Sequence, residues 1–411
     1  MKQDSPDSQY IEVTYFVESE LSLEKAANHI TRFKSTVNWD QAADEFEKVN
    51  NPFAGRLIEI TNQKFDKSSK TYAGQIRVAF PWRNFGPRIP NLISNLFGEL
   101  FELKMYRKLK VIDILLPDKY IEQFRGPQFG YQRIKELIRF EQPRPLIGAV
   151  FTPSLGLSNH DLASLAYEAA SGGVDLIKDD EVISDSYFSL VEDRVKQISR
   201  ALKKVELETG RKVLYAVNIT DRVDMLKQLS DVVLGAGGNS VMINVSAVGL
   251  SALRVISEKT KLPIFCDRVF TPAFTRSSDW GLSMKVFMKL CRLAGGDIIS
   301  CGGINGPYYE SNEEVIDNSK VCLEVMGNLK QSLPVNFGDH WAGSVSDSFK
   351  AFGHNKYLHL FGKGIFAHPD GARDGAKSVI QAYEATINSV PLADYAKTHS
   401  ELKQAVKAFE K

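Results

Sequence analysis

Eight short apolar runs recur along the chain from Pro145 onward: PLIGAVFT, VDLIKDD, VLYAVNIT, SVMINVS, LPIFCDR, DIISCGG, LPVNFG and YLHLFGKG. Successive runs lie about 30 residues apart, the length of a strand, a loop, a helix and a return loop. Unbroken apolar character, as opposed to alternation, marks strands buried on both faces, the condition of a parallel sheet covered by helices. The segments between them supply those helices. SNHDLASLAYEAASGG and DRVKQISRALKKVELETG carry apolar residues at helical spacing, and each ends in a glycine where a helix would cap. Eight such units predict closure into a β/α barrel, with an open doubly wound sheet as the rival arrangement of the same pattern.

From Tyr10 to about Leu116 the pattern is mixed. YIEVTYFV alternates like a half-exposed strand, SLEKAANHITRF has the serine cap and spacing of a helix, and RLIEITNQ and YAGQIRVAFP read as further strands. FRGPQFG, rich in Gly and Pro, precedes a helical segment and marks a crossing between units. The expected division is an α+β domain of ferredoxin-like type over residues 1–130 and a barrel domain over 131–411. A chain of 411 residues can give each its own core.

Charge narrows the ligand class. Lys and Arg number 51 against 50 Asp and Glu, which leaves no excess to hold nucleic acid or an anionic membrane. A small molecule or another protein is the expected partner. Cys266, Cys291, Cys301 and Cys322 show neither C-x-x-C spacing nor the density of a disulfide scaffold, so reduced thiols are expected. MKQDSPDSQY lacks the apolar core of a signal peptide, and no run approaches a membrane span. These features predict a cytoplasmic location.

In a β/α barrel the chemistry sits where strands end. The second run closes on Lys178-Asp179-Asp180-Glu181. Burying four ionisable groups without partners is very costly, and a divalent cation would offset that cost. Magnesium suits oxygen ligands and takes one or two carboxylates with several waters. A solvated acidic loop is the plainer reading of the same residues, and the strand-end position weighs against it.

Around this string, GGVDLIKDDEVISDSYF resembles the signature segment of the RuBisCO large chain family, in which the lysine is carbamylated by carbon dioxide and joins the acids in binding magnesium. NLFGELFELK, FRGPQFG, FTPSLGLS, RLAGGDIIS and FGKGIFAHPDG fall in the family's order, so the resemblance extends over nearly the whole chain. It implies that Lys178 is the carbamate and that Asp180 and Glu181 are the other ligands of one Mg2+. An amine adds to carbon dioxide only when neutral, and the anion formed needs a cation beside it. Asn95 matches a family asparagine that reaches the metal-bound substrate from the partner subunit, which implies a homodimer with shared active sites.

The departures from the family are as informative. Thr152-Pro153-Ser154 stands where carboxylases have a K-P-K motif, and neither hydroxyl can act as an ammonium acid near neutral pH. Pro307 matches the lysine of the family's mobile loop after the sixth strand, so the resemblance implies no carboxylation. Asp267-Arg268 replaces a His-Arg pair, Ser300 a phosphate-contacting histidine, and Phe337 a phosphate-contacting serine; a family glutamate falls near Phe33. Arg268 is then the expected clamp for one phosphate. Trp39, Asn38, Gly338 and the backbone of Gly362-Lys363-Gly364 are candidates to cradle a phosphate near a helix N-terminus, although such glycines equally serve tight turns. The set favours a substrate with one phosphate over a bisphosphate. His340 and Trp341 are read either as a proton donor and a stacking wall or as core residues, and His368 as structural.

What the resemblance leaves in place is machinery for an enediolate, formed by proton abstraction or by loss of a carboxylate β to a ketone. NLFGELFELK and HWAGSVSDSFKAFG are similar to the RuBisCO-like branch acting on 3-oxo-isoapionate 4-phosphate, which includes a decarboxylase and a transcarboxylase/hydrolase. The alternative is an enolase or isomerase of a methylthio-pentulose phosphate, but that branch has a lysine base where this chain has Glu99. A non-catalytic binding or regulatory protein is the reading from another class. The general acid that would replace the missing lysines is not identified.

Overall fold

The computed structural model describes residues 9–36, 51–153 and 155–410. Along the chain the strands are β1 (Tyr10–Ser19), β2 (Arg56–Asp66), β3 (Thr71–Pro81), β4 (Tyr106–Leu115), β5 (Leu146–Val150), β6 (Leu176–Lys178), β7 (Leu214–Asn218), β8 (Ser240–Asn244), β9 (Ile264–Asp267), β10 (Trp280–Leu282), β11 (Ile298–Gly302), β12 (Leu333–Phe337) and β13 (Leu358–Phe361).

One compact unit holds a five-stranded sheet in the order β10-β4-β1-β3-β2. Alternation along β1 turns Ile11, Val13, Tyr15 and Val17 to one buried face. The helix Leu23–Phe33 is capped by Ser22, whose hydroxyl accepts from Lys25 N, and it buries Leu23, Ala26, Ala27 and Ile30. The break after Arg125 falls inside FRGPQFG, yet Phe270–Leu293 and Val325–Leu329 also belong to this unit. By contacts the division is therefore discontinuous in sequence. Its physical reason is β10, which pairs in parallel with β4 through Trp280↔Leu109, Gly281↔Lys110 and Leu282↔Val111.

The second unit is a closed barrel in the order β11-β12-β13-β5-β6-β7-β8-β9, and neighbouring strands pair in parallel. These strands are the eight apolar runs, and closure rules out the open sheet. The helix Asn159–Gly172 starts in a capping box between Ser158 and Asp161 and ends at Gly173 with φ of 117°. Below the strands, Tyr131, Ile134, Ile138 and Phe140 pack against Leu146, Leu176, Leu214, Leu333 and Leu358, so the bottom of the barrel is filled with apolar side chains.

Two buried acids pin the strand starts. Asp297, just before β11, accepts from Phe129 N at 2.7 Å, Gly130 N at 2.9 Å and Ile264 N at 3.0 Å, tying the floor helix Gly130–Ile138 and β9 to one carboxylate. Asp175, before β6, accepts from Arg144 at 2.6 Å and from Ile147 N at 2.8 Å. Leaving buried backbone donors unpaired costs about 1–3 kcal/mol each. Asp297→Ala is expected to lower stability by more than about 3 kcal/mol in urea unfolding, and Asp297→Asn, which keeps one acceptor oxygen, by about half as much.

Candidate functional site

Lys178 is the last residue of β6 and is only 3% exposed. Its ammonium donates to Asp179 O at 2.9 Å and pairs with Asp267 Oδ2 at 3.0 Å. Asp267 ends β9, three strands around the barrel, so this ion pair spans the mouth. Burial alone would lower the Lys178 pKa; Asp267, followed by Glu181 and Asp180, more than offsets burial and raises it. The other oxygen of Asp267 accepts from Val269 N at 2.9 Å.

The three acids after Lys178 divide by role. Asp179 is fully buried and belongs to the scaffold: it accepts from Tyr215 Oη at 2.7 Å, Asn218 N at 2.9 Å and Arg194 at 3.1 Å. Asp180 is partly exposed, and one of its oxygens accepts from Val182 N. Glu181 is exposed by surface area, yet desolvation by surrounding protein raises its carboxyl above the ordinary range.

Arg268 follows Asp267 and is buried, with its guanidinium gripped bidentately by Glu310 from the loop after β11. Its Cζ lies 5.0 Å from the Phe337 ring and 5.7 Å from that of Tyr308. The expected phosphate clamp is thus engaged within the protein. Tyr308 and Pro307 themselves are exposed, and Ser300 is buried in β11.

On the opposite side, Gly338 follows β12, and Gly362, Lys363 and Gly364 follow β13, next to Thr152 beyond β5. A Cβ on Gly362 would come within 3.1 Å of Thr152 Oγ1, and one on Gly364 within 2.5 Å of His340 O. Close backbone approach therefore accounts for both glycines. Lys363 and Thr152 are exposed. Trp341 packs its ring 5.9 Å from Phe409, and His368 bonds Glu401 O and Asp370 N.

His340 is buried with both ring nitrogens engaged. Nε2 meets Ile304 O at 2.9 Å, and Nδ1 meets His359 Nε2 at 2.8 Å. His359 Nδ1 meets Tyr383 Oη at 2.7 Å, and Tyr383 meets Tyr357 Oη at 3.2 Å. A carbonyl only accepts, so His340 carries its proton on Nε2. Neutral His340 then accepts at Nδ1 from His359 Nε2–H, and His359 accepts from the Tyr383 hydroxyl. Burial depresses both imidazole pKa values, in His340 against the opposing pull of Ile304 O and Asp339, and in His359 further below the usual value with His340 adding to the effect.

Asn95 and Glu99 belong to the first unit. The Asn95 amide donates to Asn91 O at 2.8 Å within the helix Ile89–Leu96, and Glu99 is exposed at the start of a short turn of helix. Phe33 stacks on His29 at 5.2 Å. Asn38, Trp39 and Ser154 lie outside the described residues. The partners that sequence reading did not single out are Asp267 as counterion of Lys178, Glu310 as that of Arg268, and His359 with Tyr383 behind His340. Their visible signals were a strand-end acid and a histidine interrupting the apolar run YLHLFGKG.

Among the described residues, no three His, Cys, Asp or Glu side chains form a ready-made metal cluster. Asp180 and Glu181 still offer hard oxygen donors beside Lys178, and desolvation raises the Glu181 carboxyl pKa. This donor chemistry fits magnesium, with Lys178 completing the set only as an oxygen-bearing carbamate.

Residues 133–409 match the ribulose bisphosphate carboxylase large chain catalytic domain, and residues 3–120 its N-terminal domain. The chain belongs to the RuBisCO large chain family. A ribulose bisphosphate carboxylase-like protein of Chlorobaculum tepidum is 34% identical over 97% of this chain and 94% of its own length. A 3-oxo-isoapionate-4-phosphate decarboxylase of Rhizobium rhizogenes is 31% identical over 97% and 98%. The structure of a dimeric archaeal Rubisco from Hyperthermus butylicus superposes with a TM-score of 0.87 at 28% identity, covering 98% of this chain and 96% of that one. RuBisCO family membership thus includes both carboxylases and proteins named for other reactions, and the side chains at the mouth must distinguish them. No helix among the described residues is long and apolar enough to cross a membrane.

Two outcomes follow. Asp179→Ala strands the buried Arg194 and is expected to cost about 3–5 kcal/mol in denaturant unfolding, whereas Asp180→Ala should cost less than about 1 kcal/mol. The imidazole pair sets a pH dependence: both folded pKa values are depressed, so its stabilising contribution is complete above the unfolded value near 6.5 and is lost as pH falls toward the folded values. The slope approaches about 1.4 kcal/mol per pH unit for each imidazole, and His359→Gln should flatten that part of the profile in pH-dependent thermal unfolding.

Proposed function

We propose that the chain is a magnesium-dependent lyase, not a carbon dioxide-fixing carboxylase, acting on a phosphorylated keto-sugar acid of the 3-oxo-isoapionate 4-phosphate type as a decarboxylase or a transcarboxylase/hydrolase. The observation that carries this reading is the asymmetry of the mouth. By the family resemblance Lys178, Asp180 and Glu181 take the positions of the metal-binding groups and Phe337 that of a serine, while Arg268 is turned onto Glu310 and its guanidinium lies over Phe337. The relative named 3-oxo-isoapionate-4-phosphate decarboxylase supports the substrate class.

In this reading Lys178, as carbamate, with Asp180 and Glu181 holds Mg2+, which when bound polarises a carbonyl and its neighbouring hydroxyl and steadies the anion formed there. Carbamylation requires Lys178 to leave its ion pair with Asp267. Gly338, Gly362, Lys363 and Gly364, together with Asn38 and Trp39, receive the single phosphate. The partner subunit's Asn95 reaches the reacting end, in a homodimer. The carbon–carbon bond to the carboxylate breaks, its electron pair passes into the ketone to form the enediolate, and the carbon then takes a proton. Exposed Thr152 supplies no ammonium. His340, with both nitrogens engaged, positions its neighbours.

The test is incubation with 3-oxo-isoapionate 4-phosphate, Mg2+ and bicarbonate in heavy water. Release of carbon dioxide with one deuteron incorporated is expected, together with loss of turnover in Lys178→Ala. Deuterium exchange of keto-sugar phosphates without release of carbon dioxide would instead establish an enolase or isomerase. If calorimetry shows Mg2+ binding to be indifferent both to carbon dioxide and to Lys178→Ala, the catalytic reading fails in favour of a binding protein. A carboxylation product from ribulose 1,5-bisphosphate would overturn the assignment at Thr152 and Pro307.

A further inference from the structure

The loop after β11 is fastened to the barrel at both ends. At its start, Ile304 N donates to Asn336 Oδ1 at 3.0 Å, and Ile304 O accepts from His340 at 2.9 Å. In its middle, Asn305 N donates to Asn312 Oδ1 at 2.8 Å, the two asparagine side chains meet at 2.7 Å, and Asn305 Nδ2 donates to Asp347 at 3.2 Å. Gly306 N returns to Gly303 O at 3.1 Å. At its end, buried Glu310 grips buried Arg268, whose guanidinium lies over Phe337.

The first fastening has further buried support. Because Ile304 O fixes the His340 tautomer, withdrawing the loop would leave a buried imidazole N–H without an acceptor and would disturb the donors from His359 and Tyr383 behind it. The second is a buried charge pair, which cannot open without exposing or orphaning both charges. Phe337 and Glu310 thus complete an arrangement in which Arg268 serves the loop.

We propose that the segment from Gly303 to Glu310 is a latched, permanent wall of the barrel mouth and not a closing lid, with His340 and Arg268 as its positioning residues. The substrate then meets a preformed wall on the β9–β12 side, and selection there acts through fit. This proposal concerns the loop alone and stands whichever substrate is turned over.

Hydrogen exchange read by mass spectrometry on the full chain tests it, with inorganic phosphate and Mg2+ with bicarbonate as probes. Amides of Ile304, Asn305 and Gly306 should exchange slowly without any ligand and show no further protection on adding either probe. His340→Ala and Glu310→Gln should each raise exchange in this segment by about tenfold or more, while peptides from β6 to β8 are unchanged. Should His340→Ala loosen the whole barrel, the near-isosteric Glu310→Gln still decides, and Glu310→Asp should partly restore protection. Nitrogen-15 spectra of labelled histidine add a signature that a merely space-filling role would not give: His340 and His359 each in a single Nε2–H tautomer. Wild-type exchange as fast as at the exposed turn after β2, protection that appears only with phosphate, or indifference to Glu310→Gln would overturn the proposal.

Discussion

A lysine ammonium buried at the end of β6 sets the terms for the rest of the mouth. Removing such a charge from water costs several kcal/mol unless an opposite charge meets it. Here it is met across the barrel by Asp267. That contact is available only because the sheet closes: β6 and β9 are separated by β7 and β8 along the sheet, and their ends face each other over the mouth. Closure in turn relies on the apolar floor and on the carboxylates of Asp175 and Asp297, which fix where the strands start. Asp175 and Asp297 at the bottom of the barrel thus hold backbone N–H groups of the strand starts, while Asp267 at the top balances the charge of Lys178.

The same economy explains why adjacent acids in one string have different fates. Both oxygens of Asp179 are engaged, by Arg194, Tyr215 and Asn218, and these bonds anchor the strand end. Asp180 and Glu181, one and two residues later, emerge toward solvent. Preorganised oxygen donors on a fixed strand end are what binding a hard cation demands, because ligands that must first be ordered lose part of their affinity to that ordering.

How much was legible in the sequence follows from the range of each interaction. The barrel strands were legible because each is a continuous apolar run, and the helices because their caps are local, as at Ser158 and Gly173. Strand β10 was not: WGL is three residues long, partly exposed, and becomes a strand only by pairing with β4, some 170 residues earlier in the chain. Lys178, Asp180 and Glu181 drew attention through their position after an apolar run. The contact of Asp267 with Lys178 and of Glu310 with Arg268 was hidden, because neither pairing has a sequence period; each arises from loops brought together by closure.

Arg268 shows why residue identity alone misleads at such a site. An arginine beside a barrel strand end has the fork geometry for phosphate, and with a hydroxyl at position 337 it would face a polar pocket. A phenylalanine there removes a hydrogen-bonding partner and supplies a ring face, while Glu310 accepts from both terminal guanidinium nitrogens. The two changes are complementary: Phe337 without Glu310 would leave a buried, unpaired cation, and Glu310 without Phe337 would compete with a phosphate for the same donors. With both in place, a second phosphate would have to displace an internal carboxylate already desolvated with its partner, an exchange that gains little and exposes a buried acid to an anion. The engaged Arg268 and the Lys178–Asp267 pair are in keeping with the proposed reading, in which an enediolate is made from a singly phosphorylated molecule.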